Sequence, residues 1–259
     1  GNTGDGIRMA ADVGADLWHM SAVAMSFGYK VSDFAFAVRH SMPAAGYLYV
    51  DKTGHRFVDE GGTDAHLMWS PVATIDTKTL DRTRVPAYVL FDETTRRKGA
   101  VGYTDHGSVC EVYQWSDDNS DEIRKGWITA ADSVTELARR LGLPADKVQT
   151  SVDDYNRYCS TGADPQYGRD AKTLVPVAAP PFYAVEMWPC LFNTQGGPRR
   201  NARAQILDVW GKPIPRLFGA GELGSIWHRN YPGAGNVSEA LAFGRIAGAV
   251  AASESALAA

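Results

Sequence analysis

Glu222, His228 and Tyr231 are the residues whose types and spacing could do chemistry, because all three fall on one Gly-rich stretch between an apolar run and a long helical pattern. A tyrosine hydroxyl donates to a carbonyl oxygen, and an imidazole exchanges a proton near neutral pH. The glycines of Gly219-Ala220-Gly221-Glu222 and Tyr231-Pro232-Gly233-Ala234-Gly235 let backbone approach a flat or charged ligand. A helix opening near Asn236 or Val237 aims unpaired N–H groups, with roughly half a unit of positive charge, at an anion or an electron-rich carbonyl oxygen. The same stretch also reads as a tight structural turn, with Tyr231 a packed aromatic, Glu222 a solvated carboxylate and His228 a surface residue. His19 reads as a core histidine or a pocket residue. None of the histidines, His40 and His106 included, has metal-ligand spacing with Cys or paired carboxylates, so no metal site is expected.

These residues need elements to position them. Ile214, Leu217 and Phe218 predict a short strand before the loop, and the run after Asn236 predicts the helix behind it. Near the start, Asp5 is placed to cap a helix reaching about Leu17, with Ile7, Ala10, Ala11 and Gly14 on one face. Tyr47-Leu48-Tyr49-Val50 and His55-Arg56-Phe57-Val58 read as a hairpin joined by Asp51 to Gly54, and Pro86 to Phe91 as a buried strand. Two helices follow, one burying Val134, Leu137, Ala138 and Leu141 and the other Val148, Val152, Tyr155 and Cys159, with Gly142-Leu143-Pro144 between them. The Ala/Ser tail after Ala251 is expected to fray.

Composition bounds the rest. At 259 residues with 44% hydrophobic, the chain has enough apolar surface for a sizeable core. A net charge of −4 without a basic run gives no electrostatic reason to expect nucleic acid. No stretch approaches the ~20 apolar residues of a membrane span. Cys110, Cys159 and Cys190 are widely spaced, so neither a disulfide framework nor a thiolate metal site is expected, and a reducing or thiol-neutral compartment such as the cytoplasm is favoured.

Four motifs in order carry a resemblance. Thr3-Gly4-Asp5-Gly6-Ile7-Arg8-Met9-Ala10 is similar to a TGDGxxMA element, Gly54-His55-Arg56-Phe57-Val58-Asp59-Glu60 to GxRFxxE, and Thr194-Gln195-Gly196-Gly197 to TxGG. The fourth runs from Gly219-Ala220-Gly221-Glu222 through Gly235-Asn236 to Gly244-Arg245-Ile246-Ala247-Gly248. Together they resemble the FAD-dependent oxidoreductases of the fumarate reductase and succinate dehydrogenase flavoprotein family, to which the 3-ketosteroid dehydrogenases are related. The resemblance implies an α+β fold: a partial Rossmann-like FAD-binding domain at 1–25 and 179–259, with an inserted capping or substrate domain at 26–178. It also implies that Asp5, Asn193, Gly221, Glu222, Asn236, Val237 and Ser238 face FAD, with the helix-start amides near flavin O2. The family holds the ADP part of FAD with an N-terminal strand, a GxGxxG turn and a helix followed by a ribose-reading acidic residue, and this combination is not matched in the chain. A C-terminal part of a flavoprotein is therefore expected, one that needs a missing N-terminal FAD-binding segment and by itself holds at most part of the site. A module unable to hold flavin is the alternative.

The substrate expectation comes from departures. The family's fumarate-binding branch clamps two carboxylates with a histidine before TxGG, an arginine before GGN and an arginine after GxRFxxE; the matching positions here are Phe192, Pro232 and Asp64. A dicarboxylate is not expected in such a pocket. Tyr231 to Gly235 instead resembles the YPGxG loop of the 3-ketosteroid dehydrogenases, where the tyrosine hydroxyl and the last glycine's N–H hold a ketone. Two donors on that oxygen stabilise the enolate-like charge that builds beside it. The resemblance thus makes Tyr231 and Gly235 the electrophilic pair and a small carbonyl-containing molecule the substrate; His228, three residues before Tyr231 and beside Arg229, is by residue type and position a candidate proton donor. Tyr103, Tyr113, Tyr155, Tyr158 and Tyr167 are the candidates for a tyrosine base.

Overall fold

The structure is a computed structural model, and it describes residues 2–64, 66–102 and 113–255. Tyr103, His106 and Cys110 lie outside the described residues. In chain order the elements are α1 (Asp5–Asp12), β1 (Leu17–Trp18), β2 (Val23–Lys30), β3 (Ala37–Arg39), β4 (Tyr47–Val50), α2 (Trp69–Val72), β5 (Ala87–Asp92), α3 (Glu93–Arg96) and α4 (Ser120–Arg124). After them come β6 (Thr129–Ala131), α5 (Val134–Arg140), α6 (Ala145–Thr161), a 3₁₀ turn at Ala171–Thr173, β7 (Phe182–Thr194), β8 (Gly197–Pro198), β9 (Gln205–Leu207), β10 (Pro213–Phe218) and α7 (Gly235–Ala252). Mixed helix and sheet is the observed class. The chain divides into two compact units, Gly1–Met25 with Leu191–Ala259, and Ser26–Cys190.

The unit Ser26–Cys190 is built on a sheet of order β3-β2-β7-β5-β4, with β6 added against β7. The chain returns to the other unit at 191, not at the expected 179, because Phe182–Met187 pairs antiparallel with β5 along its whole length. Apolar spacing explains the packing. Val134, Leu137 and Ala138 of α5 and Val148, Val152 and Tyr155 of α6 share one core with Leu48 and Val50 of β4 and Leu90 of β5. Ser133 caps α5 by accepting from the Glu136 N–H at 3.2 Å.

The expected hairpin at 47–58 forms only in part. β4 pairs with β5, while 55–58 contributes a single bridge, Val50 to Arg56. Charge explains the difference: Arg56 turns inward onto Glu60 (2.8 Å) and Asp164 (2.8 Å), and Glu60 accepts the Tyr49 N–H (3.0 Å) that a second strand would otherwise take. Arg169 completes this buried network on Glu60 at 3.2 Å.

The other unit holds two small antiparallel pairs, β1 with β8 and β9 with β10. Ala10, Ala15 and Ile206 form its buried core, with Ile214 and Leu217 packed against them. α1 is shorter than its expected reach, closing at Asp12 where Gly14 takes φ +83°. Asp5 is its first helical residue and not the cap; Gly4, at φ +77°, holds that position. α7 opens at Gly235, one or two residues ahead of the expected Asn236 or Val237; its buried residues are Gly235, Asn236 and Glu239, while Val237 and Leu241 are 64% and 73% exposed. An apolar helix with its polar positions buried is the reverse of the usual surface pattern. Among the described residues, no helix is long and apolar enough to cross a membrane.

Candidate flavin and substrate site

The unit formed by 1–25 and 191–259 contains a cleft of about 460 Å³, lined among others by Thr3, Asp5, Ile7, Thr194, Gly196 and Glu222. Two distant motifs, one at each end of the chain, thus meet on one surface. Asp5 accepts from the Thr3 hydroxyl at 2.7 Å and pairs with Arg8, and these contacts hold its carboxyl below the usual range. Glu222 accepts the Thr194 N–H at 3.1 Å, which ties the loop after β10 to the end of β7.

What shapes that loop is a buried ion pair. Arg200 donates to the carbonyls of Leu223 (2.9 Å), Gly224 (3.1 Å) and Gly221 (3.1 Å), and pairs with Glu239 on the first turns of α7. Glu239 in turn accepts from the Ser225 hydroxyl (2.7 Å) and the Ile226 N–H (2.8 Å). Neither side chain of the pair is more than 1% exposed. The close approach also requires Gly224, at φ +70°, since an added Cβ would lie 2.0 Å from the Pro198 carbonyl oxygen.

Beyond the cleft, the expected site residues divide into groups. Asn193 Oδ1 and Asn236 Nδ2 are buried without a partner among the described residues, as are both amide atoms of Gln195 and the indole nitrogen of Trp227. Ser238 bonds back to Ala234 through its hydroxyl (3.3 Å) and its N–H (3.1 Å). Tyr231 is buried, and His228 is exposed with its ring 4.7 Å from that of His19. The N–H of Gly235 donates to the Pro232 carbonyl at 2.9 Å, where the turn closes on itself. No partner among the described residues is found for the N–H of Asn236 or Val237, as first-turn geometry dictates.

Three of the five tyrosines weighed as a base are otherwise engaged; Tyr158 carries the Arg157 guanidinium over its ring, and Tyr103 lies outside the described residues. Tyr113 donates to Glu122, Tyr155 to the Val175 carbonyl (3.0 Å) and Tyr167 to the Arg56 carbonyl (2.8 Å), and burial raises the pKa of all three. Among the described residues, no three His, Cys, Asp or Glu side chains gather as a metal site. Sequence reasoning missed Arg200 and Glu239. The signal available was the single acid in α7, on a mostly apolar helix whose other charge is Arg245.

The cleft joins the start of α1 to the Gly-rich loop, and unpaired buried amides lie elsewhere in the same unit, an arrangement suited to a nucleotide-type cofactor. Residues 1–238 match the FAD binding domain family. Digoxin reductase of Eggerthella lenta is 31% identical over 95% of this chain and 44% of its own length; a probable fumarate reductase of Shewanella frigidimarina is 29% identical over 95% and 37%. Among solved structures, a 3-ketosteroid-Δ4-(5α)-dehydrogenase from Rhodococcus jostii RHA1, in complex with 4-androstene-3,17-dione, superposes with a TM-score of 0.69 at 26% identity, covering 96% of this chain and 45% of that one. The chain belongs to the FAD-dependent oxidoreductases of the fumarate reductase and succinate dehydrogenase flavoprotein family, and its cofactor is FAD. It spans less than half the length of each of these three relatives. The residues present fit that cofactor: a buried polar atom without a partner costs about 1–3 kcal/mol, and Asn193, Gln195 and Asn236 hold such atoms beside a Gly-rich loop.

Proposed function

We propose that the protein moves a hydride between flavin and a carbon–carbon bond adjacent to a carbonyl, with an enone or ketosteroid-like molecule as substrate and not fumarate. Bound FAD supplies the two-electron chemistry. The observation that carries this reading is that the unit holding the Asp5 and Glu222 cleft also holds a loop with Tyr231-Pro232 where a dicarboxylate enzyme needs a cation. Asp5, Asn193, Gly221, Glu222 and the start of α7 from Asn236 to Ser238 hold the cofactor. The free N–H groups of Asn236 and Val237 favour negative charge on it. Tyr231 donates to the substrate carbonyl, and Gly235 is the second donor where the Pro232 carbonyl releases its N–H. His228 moves the substrate proton.

The unit 1–25 with 191–259 serves as part of an FAD-binding domain, and 26–190 as the capping or substrate domain. A dinucleotide-binding segment outside these residues completes the site. The exposed apolar side chains of α7 support this, since Val237 and Leu241 offer a surface that such a segment would bury. Without it, the chain is a folded module with a partial site. The test is anaerobic reduction or oxidation of the flavin in protein carrying that segment, with 4-androstene-3,17-dione and fumarate compared. Turnover of the ketone alone supports the reading, and turnover of fumarate alone overturns it.

A further inference from the structure

His19 lies between two rings. The Trp18 indole stacks on it at 4.2 Å with planes 8° apart, and the His228 imidazole meets it from across the fold of the same unit at 4.7 Å and 58°. Its Nδ1 is 2.7 Å from the Ser225 carbonyl oxygen. A carbonyl only accepts, so Nδ1 carries a proton in every state of the ring, and neutral His19 keeps its lone pair on Nε2. The Trp18 N–H donates to the Gly224 carbonyl at 3.0 Å. Both rings are therefore fastened to the loop that Arg200 and Glu239 hold in place.

His19 and His228 share an uncommon backbone, with φ at +55° and +49°. Left-handed residues other than glycine are strained, and such strain persists only where the surroundings over-determine it. His228, exposed, has its ring held in contact with a histidine whose orientation is fixed twice over. The charged and titratable groups around it are His19 and Arg229, with Arg199 farther out, 5.7 Å from the Trp18 ring. Desolvation, His19 and Arg229 all lower its pKa, so His228 is neutral at pH 7 and suited to accept a proton.

Resting on the function proposed above, we infer that His228 takes the substrate's proton and that His19 is the positioning residue that holds it for that step. A C–H bond beside the carbonyl breaks, its proton passes to a ring nitrogen of neutral His228, and the electron pair stays on the substrate as an enolate whose oxygen accepts from Tyr231. In the opposite direction His228 returns the proton. Neither His19 nor Trp18 touches the reacting atoms.

Two measurements on one variant test this. His19→Asn suits the left-handed backbone and keeps a donor for Ser225 but presents no ring to His228. The titration of His228, followed by NMR in histidine-labelled protein, should move upward in this variant, because the neighbouring His19 ring is one of the causes that hold it down. In flavin-loaded protein completed by its dinucleotide-binding segment, the acidic limb of kcat/KM should move up with it, while His228→Asn should abolish that limb. An unchanged His228 titration in His19→Asn overturns the inference, and so does a shifted titration that leaves the kcat/KM limb in place. Loaded wild-type protein that ignores every carbonyl-activated substrate sinks the function on which the inference rests, whatever the titration shows.

Discussion

Tyr231 is the residue on which substrate chemistry is most exposed to test. It is buried, at 7% exposure, in a loop where a cation would be needed for a dicarboxylate. Tyr231→Phe removes one oxyanion donor and keeps the ring, so kcat should fall by about 10²–10³-fold while the visible spectrum of bound flavin stays unchanged. Stopped-flow reduction of the flavin by a ketone substrate measures both. Equal loss of flavin binding and turnover would place Tyr231 in packing, as one of the two sequence readings has it.

At the scale of elements, the ion pair between Arg200 and Glu239 decides whether the Gly-rich loop keeps its shape. Glu239→Gln leaves a guanidinium buried without its counter-charge, and should destabilise its unit by about 3–5 kcal/mol, with hydrogen exchange at 221–226 rising first. Replacing both, as Arg200→Met with Glu239→Leu, should recover most of the loss, and urea unfolding of the three variants checks the order. In the unit 26–190, Glu93 at the start of α3 gives a pH signature. Pairing with Arg96, Arg97 and the Tyr183 hydroxyl lowers its carboxyl from an ordinary 4.5 to about 2. A depressed carboxylate contributes stability that is fully present above its unfolded pKa and is lost as pH falls through the folded value. Thermal melts should therefore drop between about pH 4.5 and 2, and Glu93→Gln should flatten that slope.

These elements also show how far sequence reasoning reaches. α5 and α6 were legible because their apolar residues recur at helical spacing and a Ser and a Gly-Leu-Pro mark their ends. The strand before the Gly-rich loop and the start of α7 were legible for the same local reasons. The second half of the 47–58 hairpin was not, since Arg56 finds Asp164 more than a hundred positions away, and no local pattern announces a partner at that distance. In the candidate site, the resemblance set Asp5 and Glu222 toward one ligand, and both line one cleft. The engaged amide of Gly235, the Arg200 clamp and the contact of His19 with His228 did not, because each depends on tertiary geometry that sequence spacing leaves open.

At the scale of the whole molecule, the two units differ in where their cores and unpartnered polar groups lie. The unit 26–190 has a continuous core of sheet and helices, although Phe36, Ile75 and Leu80 are exposed. The other keeps unpartnered buried amides, an apolar helix with Val237 and Leu241 outward, and Met9 and Val13 of the α1 region exposed as well. Both features fit a half-site whose cofactor and covering segment act together. The central claim, that the backbone of 219–238 and the cleft beside it form the flavin half-site, is most directly tested by hydrogen exchange of this chain with and without millimolar FAD. Protection at 2–7, 193–196 and 219–238 is the result the account predicts. Exchange unchanged there, or protection confined to 26–190, would contradict it.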